Sequence, residues 1–348
     1  MRDLEKGSMR AVTFQKTTGT LHLGFTDVIG TGRPTPGQVR VSIYASSLNG
    51  HDLNIARAIL PVAEGRVLLT DAAGIVEEVG EGVTEFVAGD RVISAFFPDW
   101  HDGSAPVVGF SRTPGDGLDG YGTDAVVRPA HYFTRAPEGW SFLEAATLPT
   151  AGLTAWRALV LEGRLIAGED VLLIGTGGVS ILALKMAKRM GARVFITSSS
   201  SEKLNRAKQL GADFTINYRD QENWGPVIRD LTGGRGVDLV VETGGPGTLP
   251  KSIDAAGIGA RIVLVGVVTG IAGTVPTAAV MGKQQRIYGI TVGSRKQQID
   301  MVRGLEGLGI KPVIDQVFPL TDLRQAFEAQ MASKHFGKIS IEYRVSEQ

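Results

Sequence analysis

The residues with the clearest chemistry lie in one short stretch. The apolar run Asp170–Ile174 leads into Gly175-Thr176-Gly177-Gly178-Val179-Ser180, after which a helical pattern continues to Met190. In a turn of this kind the first glycine reverses the chain and the second lets backbone approach a diphosphate. The helix N-terminus then supplies free N–H groups and a partial positive charge. Ser180 stands where close helix–strand packing often takes a third glycine. A glycine turn without a ligand is the competing reading. The flanking strand and helix, and the α/β alternation that follows, favour a dinucleotide.

A second stretch bears on which dinucleotide. A carboxylate about 20 residues further on, at the end of the second strand, binds the ribose 2′-hydroxyl in NAD sites. Here that strand ends in Thr197 followed by Ser198, Ser199, Ser200 and Ser201, with Lys203 just beyond. Hydroxyls accept a 2′-phosphate without repelling it, and an ammonium adds a charge-assisted bond. The expected cofactor is NADPH. The serines also suit a helix N-cap, and the two roles are compatible.

Elements must hold these groups in place. From residue 150 onward strands alternate with helices: Asp170–Ile174, Val179–Met190, Arg193–Thr197, Glu202–Leu210, Phe214–Asn217, Val237–Glu242 and Arg261–Val265. Near-continuous apolar strands joined by helices predict a doubly wound parallel sheet, an α/β fold. Lys185, Lys188 and Arg189 are expected on the solvated side of the first helix. The first third is different, with strand-like runs at Arg10–Phe14, Val39–Ala45, Gly74–Val79 and Arg91–Phe97 divided by Gly/Pro turns. It predicts a compact β-rich unit, with a surface loop over Asp99–Gly120. Gln285–Val292 is a further strand candidate. A helix over Asp322–Ser333 and a strand over Lys338–Tyr343 are candidates to return to the β-rich unit.

Composition narrows the function classes. The 348 residues include 36 Lys plus Arg and 36 Asp plus Glu, for zero formal net charge. No bulk basicity draws nucleic acid or an anionic membrane. The sequence has no cysteine, which excludes disulfides, thiolate metal sites and a Cys nucleophile. No apolar run reaches the ~18 residues of a membrane span. Residues 1–8 read as a leader or disordered tail, and a cytoplasmic location is expected.

Several segments together resemble the medium-chain dehydrogenase/reductase superfamily, from about Met9 to Tyr343. They are Ala73–Val83, Ala88–Val92, Glu144–Trp156, Gly175–Ser180, Asn205–Tyr218 and Gly236–Thr243. Ser198–Lys203, Gly244–Gly247 and His335–Lys338 are most similar to the zinc-type alcohol dehydrogenase-like and quinone oxidoreductase branch. The resemblance implies a GroES-like catalytic domain (residues 9–155 and 290–348) and a Rossmann domain (residues 156–289), with the active site between them. It implies that Lys203 and Tyr218 hold the 2′-phosphate and that Val292–Arg295 lies near the nicotinamide. It further implies cofactor contacts at Thr150, Thr154, Gly175, Thr176, Gly177, Gly178, Val179, Thr243, Gly244, Gly266, Val267, Gly293 and Ser294. The strand at Gln285–Val292 would be the edge of a homodimer.

Zinc members of this superfamily bind metal through Cys, His and Cys, and the aligned positions here are Asn49, Thr70 and Thr150. Together these lack both thiolate and imidazole, so no metal and no zinc is expected. Without a Lewis acid, conjugated carbonyls and quinones are the easier hydride acceptors, since charge spreads into an enolate or hydroquinone. The expected activity is NADPH-dependent reduction of a quinone or α,β-unsaturated carbonyl. Asn49, His51 and Asp52 are the candidate catalytic residues. Asn49 would donate to a substrate oxygen and His51 would serve as acid, while Asp52 is more often a structural partner. A His51–Asp71 metal site would have too few ligands. Phe96, Phe97 and Trp100 are candidate pocket walls, while His22, His101 and His131 lack a motif. The competing functions are a metal-free alcohol or aldehyde dehydrogenase using His51, and an NADPH-binding, crystallin-like protein without turnover.

Overall fold

The computed structural model describes residues 8–106 and 110–343, apart from the side chain of Ser8. The expected leader lies outside them except for the Ser8 backbone, which begins the first strand. Contacts divide the chain into two compact units. One comprises Met1–Thr150, Gly293–Glu306 and Ile314–Gln348; the other comprises Ala151–Val292 and Gly307–Val313. These boundaries differ by a few residues from the 155/156 and 289/290 divisions drawn from the sequence, and a short C-terminal piece joins the second unit.

The first unit is built on strands. β1 (Ser8–Phe14) pairs antiparallel with β2 (Leu23–Ile29). β3 (Gln38–Ser47) is followed by the short helix α1 (Gly50–Ala56). β4 (Ala73–Val79), β5 (Arg91–Ser94), β6 (Ala125–Pro129), β7 (Phe133–Arg135) and α2 (Phe142–Ala145) complete its N-terminal part. The long strand β3 is central, alternating Val39, Val41 and Ile43 into a core with Val76, Val92, Tyr121 and Phe133. The strand expected over Arg91–Phe97 stops at Ser94. Beyond it Ala95 and Phe96 stay buried but leave the ladder. The described part of Asp99–Gly120 is not simply a surface loop. Trp100, Thr113, Pro114, Gly115 and Gly120 are buried, and Gly115 and Gly120 pack on the Leu69 backbone, where a Cβ at Gly120 would lie 2.3 Å from the Leu69 carbonyl oxygen.

The second unit holds α3 (Leu153–Trp156), β8 (Asp170–Leu173), α4 (Gly178–Arg189), β9 (Arg193–Ser198), α5 (Ser201–Gln209), β10 (Phe214–Asn217), α6 (Trp224–Leu231), β11 (Val237–Glu242), α7 (Leu249–Ala255), β12 (Ala256–Leu264), α8 (Thr277–Gly282) and β13 (Arg286–Gly289). Its six strands run parallel in the order β10-β9-β8-β11-β12-β13. That is the doubly wound order, with the strand sequence reversing at β8 and β11. β8 is buried along its whole length, as a strand covered on both faces must be. The edge strand β13 is shorter than the expected Gln285–Val292. Val292, a β-branched residue, sits at φ 46° beyond it, where an extended ladder is impossible. Lys188 departs from the solvated role expected of it: its Nζ donates to the Ala192 carbonyl (3.0 Å) and to Asp213 Oδ2 (2.7 Å), tying α4 to the residues before β9 and β10.

The C-terminal residues return to the first unit through α9 (Arg295–Leu308), β14 (Ile314–Pro319), α10 (Leu323–Met331) and β15 (Lys338–Glu342). β15 pairs antiparallel with β3, so that Ser340 faces Ser47. This register brings the start of β15 beside the end of β3 and the first turn of α1.

Candidate functional site

In the parallel-sheet unit the predicted cofactor residues gather at the carboxyl ends of the strands. Gly175–Val179 follow β8, Ser198–Ser200 close β9, Thr243 and Gly244 follow β11, and Gly266 and Val267 follow β12. This is the edge where open α/β sheets bind ligands, beside the switch point. Gly175 is at φ 76°, and a Cβ on Gly175 or Gly177 would meet open space. The outer face of the turn is therefore clear, and Gly177 caps α4. The Ile174 carbonyl accepts from Ser180 Oγ and Thr243 Oγ1, each at 2.7 Å, while Gly175 N donates to Thr197 Oγ1 at 3.2 Å. Ser180 thus pins the turn through its hydroxyl where a glycine would only permit close packing. Ser200 caps α5 by accepting from Lys203 N, Ser198 is buried, Lys203 is half-buried, and Tyr218 is exposed. A Cβ at Gly266 would lie 2.3 Å from the Thr243 carbonyl oxygen, so that position requires glycine.

One residue behind this edge escaped sequence reading. Glu242 is fully buried at the end of β11. Its Oε1 accepts from Gly244 N (2.7 Å), Gly245 N (3.1 Å) and Thr248 Oγ1 (2.6 Å), and its Oε2 accepts from Ser252 Oγ. Gly244 is among the expected cofactor contacts, and its amide is engaged inside the protein. The available signal was a lone carboxyl closing the apolar run Val237–Val241. Thr154 is buried on α3 of the same unit, away from the strand ends in sequence.

In the β-rich unit the three positions aligned with metal ligands converge on two buried carboxylates. Asn49 Nδ2 donates to Asp71 Oδ2 (2.8 Å) and Asp52 Oδ2 (3.1 Å), and lies 3.3 Å from the Ser47 carbonyl. Thr150 Oγ1 lies 2.6 Å from Asp71 Oδ1, and Thr70 donates to Asp52 Oδ1 from both N and Oγ1 at 2.9 Å. Asp52 also accepts from Asn49 N, capping α1. Opposite them, Lys338 Nζ donates to Asn49 Oδ1 and the Leu48 carbonyl, both at 2.6 Å, and stands 4.0 Å from Asp71 Oδ2. Leu69, at φ 72°, turns Thr70 and Asp71 into the cluster, a local strain held by the surrounding packing.

Burial pushes the Asp71 carboxyl up to about 6, and the Lys338 ammonium opposes that rise. Burial pulls the Lys338 ammonium below its ordinary value, against the attraction of Asp71 and Asp52. The arrangement corrects the donor role expected of Asn49 and favours the structural alternative for Asp52. Both amide hydrogens of Asn49 are engaged with carboxylates, so Asn49 orients the cluster and has none left for a substrate oxygen. Asp52 acts as a cap and acceptor, the structural role.

His51 projects elsewhere, half-buried against Phe96 (ring centroids 5.5 Å) and Phe110 (4.8 Å), with its Nε2 3.3 Å from Asp116 Oδ2. Asp116 was not predicted, and nothing local marks it. Of the expected pocket walls, Phe96 and Trp100 are buried anchors, with Trp100 Nε1 donating to the Gly103 carbonyl. His22 Nδ1 accepts from Thr17 N, and His101 packs on His131. Gly293 and Ser294 are buried; Ser294 N donates to Gln297 Oε1 before α9.

Zinc requires thiolate, imidazole or open carboxylate donors. Here an amide and two hydroxyls stand at the aligned positions, the carboxylates are engaged by neutral donors, and an ammonium lies beside them. The residues present do not fit a zinc site, and among the described residues no group of three His, Cys, Asp or Glu could hold a metal ion.

Residues 35–138 match the alcohol dehydrogenase GroES-like domain, and residues 178–306 match the zinc-binding dehydrogenase domain. A zinc-type alcohol dehydrogenase-like protein of Schizosaccharomyces pombe is 40% identical over 88% of this chain and 91% of its own length. Human quinone oxidoreductase is 28% identical over 92% and 93% of the two chains. A solved NAD-dependent alcohol dehydrogenase superposes with a TM-score of 0.86 at 33% identity, covering 97% of this chain and all of that one. The chain therefore belongs to the medium-chain dehydrogenase/reductase family and is an oxidoreductase of its zinc-type alcohol dehydrogenase and quinone oxidoreductase branch.

Proposed function

We propose that the protein is a zinc-independent, NADPH-dependent reductase of quinones or α,β-unsaturated carbonyls. The reading is carried by the Asn49–Asp71–Lys338 cluster, which puts amide, carboxylate and ammonium where metal donors would be needed. When bound, the reduced nicotinamide supplies a hydride. Gly175, Gly177 and the first turn of α4 would hold the diphosphate through backbone amides. Ser198, Ser199, Ser200, Lys203 and Tyr218 would hold the 2′-phosphate. The NAD dependence named for the solved relative is a property of that protein. Preference here rests on the end of β9, where Ser198 is followed by Ser199, Ser200 and Ser201 and the first carboxylate, Glu202, lies in the first turn of α5.

The test is a titration of NADPH and NADH by fluorescence, followed by NADPH oxidation with 1,4-naphthoquinone and 2-cyclohexen-1-one. Lys203→Ala is expected to weaken NADPH about tenfold, the equivalent of one charge-assisted bond, and to leave NADH unchanged. Equal affinities that ignore the substitution would refute the 2′-phosphate assignment. The His51–Asp116 pair favours a second reading, a metal-free alcohol or aldehyde dehydrogenase with His51 as acid or base. Oxidation of alcohols without quinone or enone turnover would select it.

The protein is proposed to work in the cytoplasm as a homodimer joined through the open edge of β13. Exposed Ile258, Val268, Ile271 and Met281 support such an interface. No described helix is long and apolar enough to cross a membrane.

A further inference from the structure

The proposed reduction leaves a charge that must be quenched by a proton, and His51 is not the only group placed to give one. We propose that the Thr150 hydroxyl delivers this proton, with Asp71 as its reservoir and Lys338 as the positioning charge. The proposal rests on the reductase reading given above.

Thr150 differs from its partners in exposure. Ser47, Asn49, Asp52, Asp71 and Lys338 are buried, whereas Thr150 is half-buried. It sits in a π turn, Leu148–Gly152, a distortion of helical geometry often found at functional sites. A threonine hydroxyl is a poor acid by itself. It becomes a competent donor when an acid behind it replaces its proton in the same event.

The cluster permits that exchange in one direction. Asp71 Oδ2 receives Ser47 Oγ and Asn49 Nδ2, and the amide can only donate. Asp71 Oδ1 meets Thr150 Oγ1 at 2.6 Å, and a hydroxyl can either donate or accept. A proton on Asp71 is therefore accommodated on Oδ1 and leaves through Thr150. Lys338 fixes the polarity of the chain. Its ammonium claims Asn49 Oδ1, which turns the Asn49 amide hydrogens toward Asp71 and Asp52. The charged and titratable groups acting on Asp71 are Lys338 from β15 and Asp52 from α1; Tyr121 also senses the Asp71 charge.

The step balances. Hydride from the reduced nicotinamide forms a C–H bond at the β-carbon of an enone, and the displaced π electrons give an enolate. The Thr150 O–H bond breaks toward the enolate as the Asp71 O–H bond breaks toward Thr150 Oγ1. The products are a saturated carbonyl, oxidised nicotinamide and the Asp71 carboxylate, which regains its proton from water.

The experiment is steady-state reduction of 2-cyclohexen-1-one by NADPH across pH 5 to 9, with NADPH affinity measured separately by fluorescence. Thr150→Val is expected to lower kcat about 100-fold or more, the usual weight of general-acid assistance. The rate is read at saturating NADPH, so that loss of an implied cofactor contact at Thr150 does not enter kcat, and Thr150→Ser should restore most of the rate. In the unsubstituted enzyme kcat falls as pH rises and the reservoir empties. Lys338→Met removes the cation that favours the Asp71 carboxylate, so this limb moves to higher pH, and Lys338→Arg returns it. A purely structural lysine would lower kcat at every pH without moving the limb. Thr150→Val with unchanged kcat, or a limb indifferent to Lys338, overturns the relay alone. No enone or quinone turnover by the unsubstituted enzyme overturns the reductase reading and the relay with it.

Discussion

The cofactor edge of the parallel-sheet unit and the polar cluster of the β-rich unit are made of different material. The first is largely backbone: a glycine turn, the end of a helix, and hydroxyls that follow strands in order along the chain. The second is almost wholly side chain, assembled from β3, α1, the Leu69–Asp71 turn, the π turn at Thr150 and β15. A site built from backbone geometry leaves a local pattern, because glycine is needed where φ is positive or space is short. A site built from converging side chains leaves none, because its members are distant in sequence and ordinary in type. The first also tolerates change at a motif position when another interaction takes over, as Ser180 shows through its bond to Ile174. The second tolerates little, since each buried polar group depends on the next.

Three measurements would break or sharpen this contrast. The largest effect is expected at Lys338. Removing one member of a buried ion pair leaves the other uncompensated, so Lys338→Met should lower the unfolding free energy by about 3–5 kcal/mol in urea denaturation. Adding Asp71→Asn should recover a large part of that loss; strict additivity of the two would show that their charges do not compensate each other.

A smaller effect belongs to Asp71 and pH. Its folded value of about 6 lies above the ordinary 3.8, so the folded protein binds the extra proton between these values. The contribution is fully present below about pH 4 and is lost as pH rises through 6, roughly 2–3 kcal/mol in all. Asp71→Asn should flatten this part of the stability–pH curve. An unaltered slope would mean that another group titrates there.

The smallest effect is predicted in the glycine turn. Ser180→Ala removes one buried hydrogen bond and should cost about 1 kcal/mol, with NADPH affinity within about twofold of the unsubstituted protein. A large loss of affinity would mean that the Ser180 hydroxyl shapes the diphosphate cradle and does more than anchor the turn.

The strand–turn–helix at Asp170–Met190, the alternation that follows it and the lack of a carboxylate at the end of β9 were all legible without coordinates. They rest on periodicity, glycine sterics and residue type within a few positions of one another. The same holds for the missing thiolates and imidazole at Asn49, Thr70 and Thr150. What fills that place was not legible. Lys338 could be quoted as part of a motif, yet only the antiparallel pairing of β15 with β3 sets its ammonium against Asn49 Oδ1. Glu242 and Asp116 were overlooked for the same reason, since a carboxyl gains its meaning from donors that the fold delivers. Sequence by itself therefore determined the fold class, the glycine turn at the expected cofactor edge and the lack of thiolate and imidazole at the aligned positions, because each follows from local sterics or from residue type. Tertiary structure alone decided that Asn49 is held by carboxylates, that a buried ammonium balances them, and that Thr150 is their half-buried end. Long-range register governs which side chains share one low-dielectric pocket, and no local pattern encodes it.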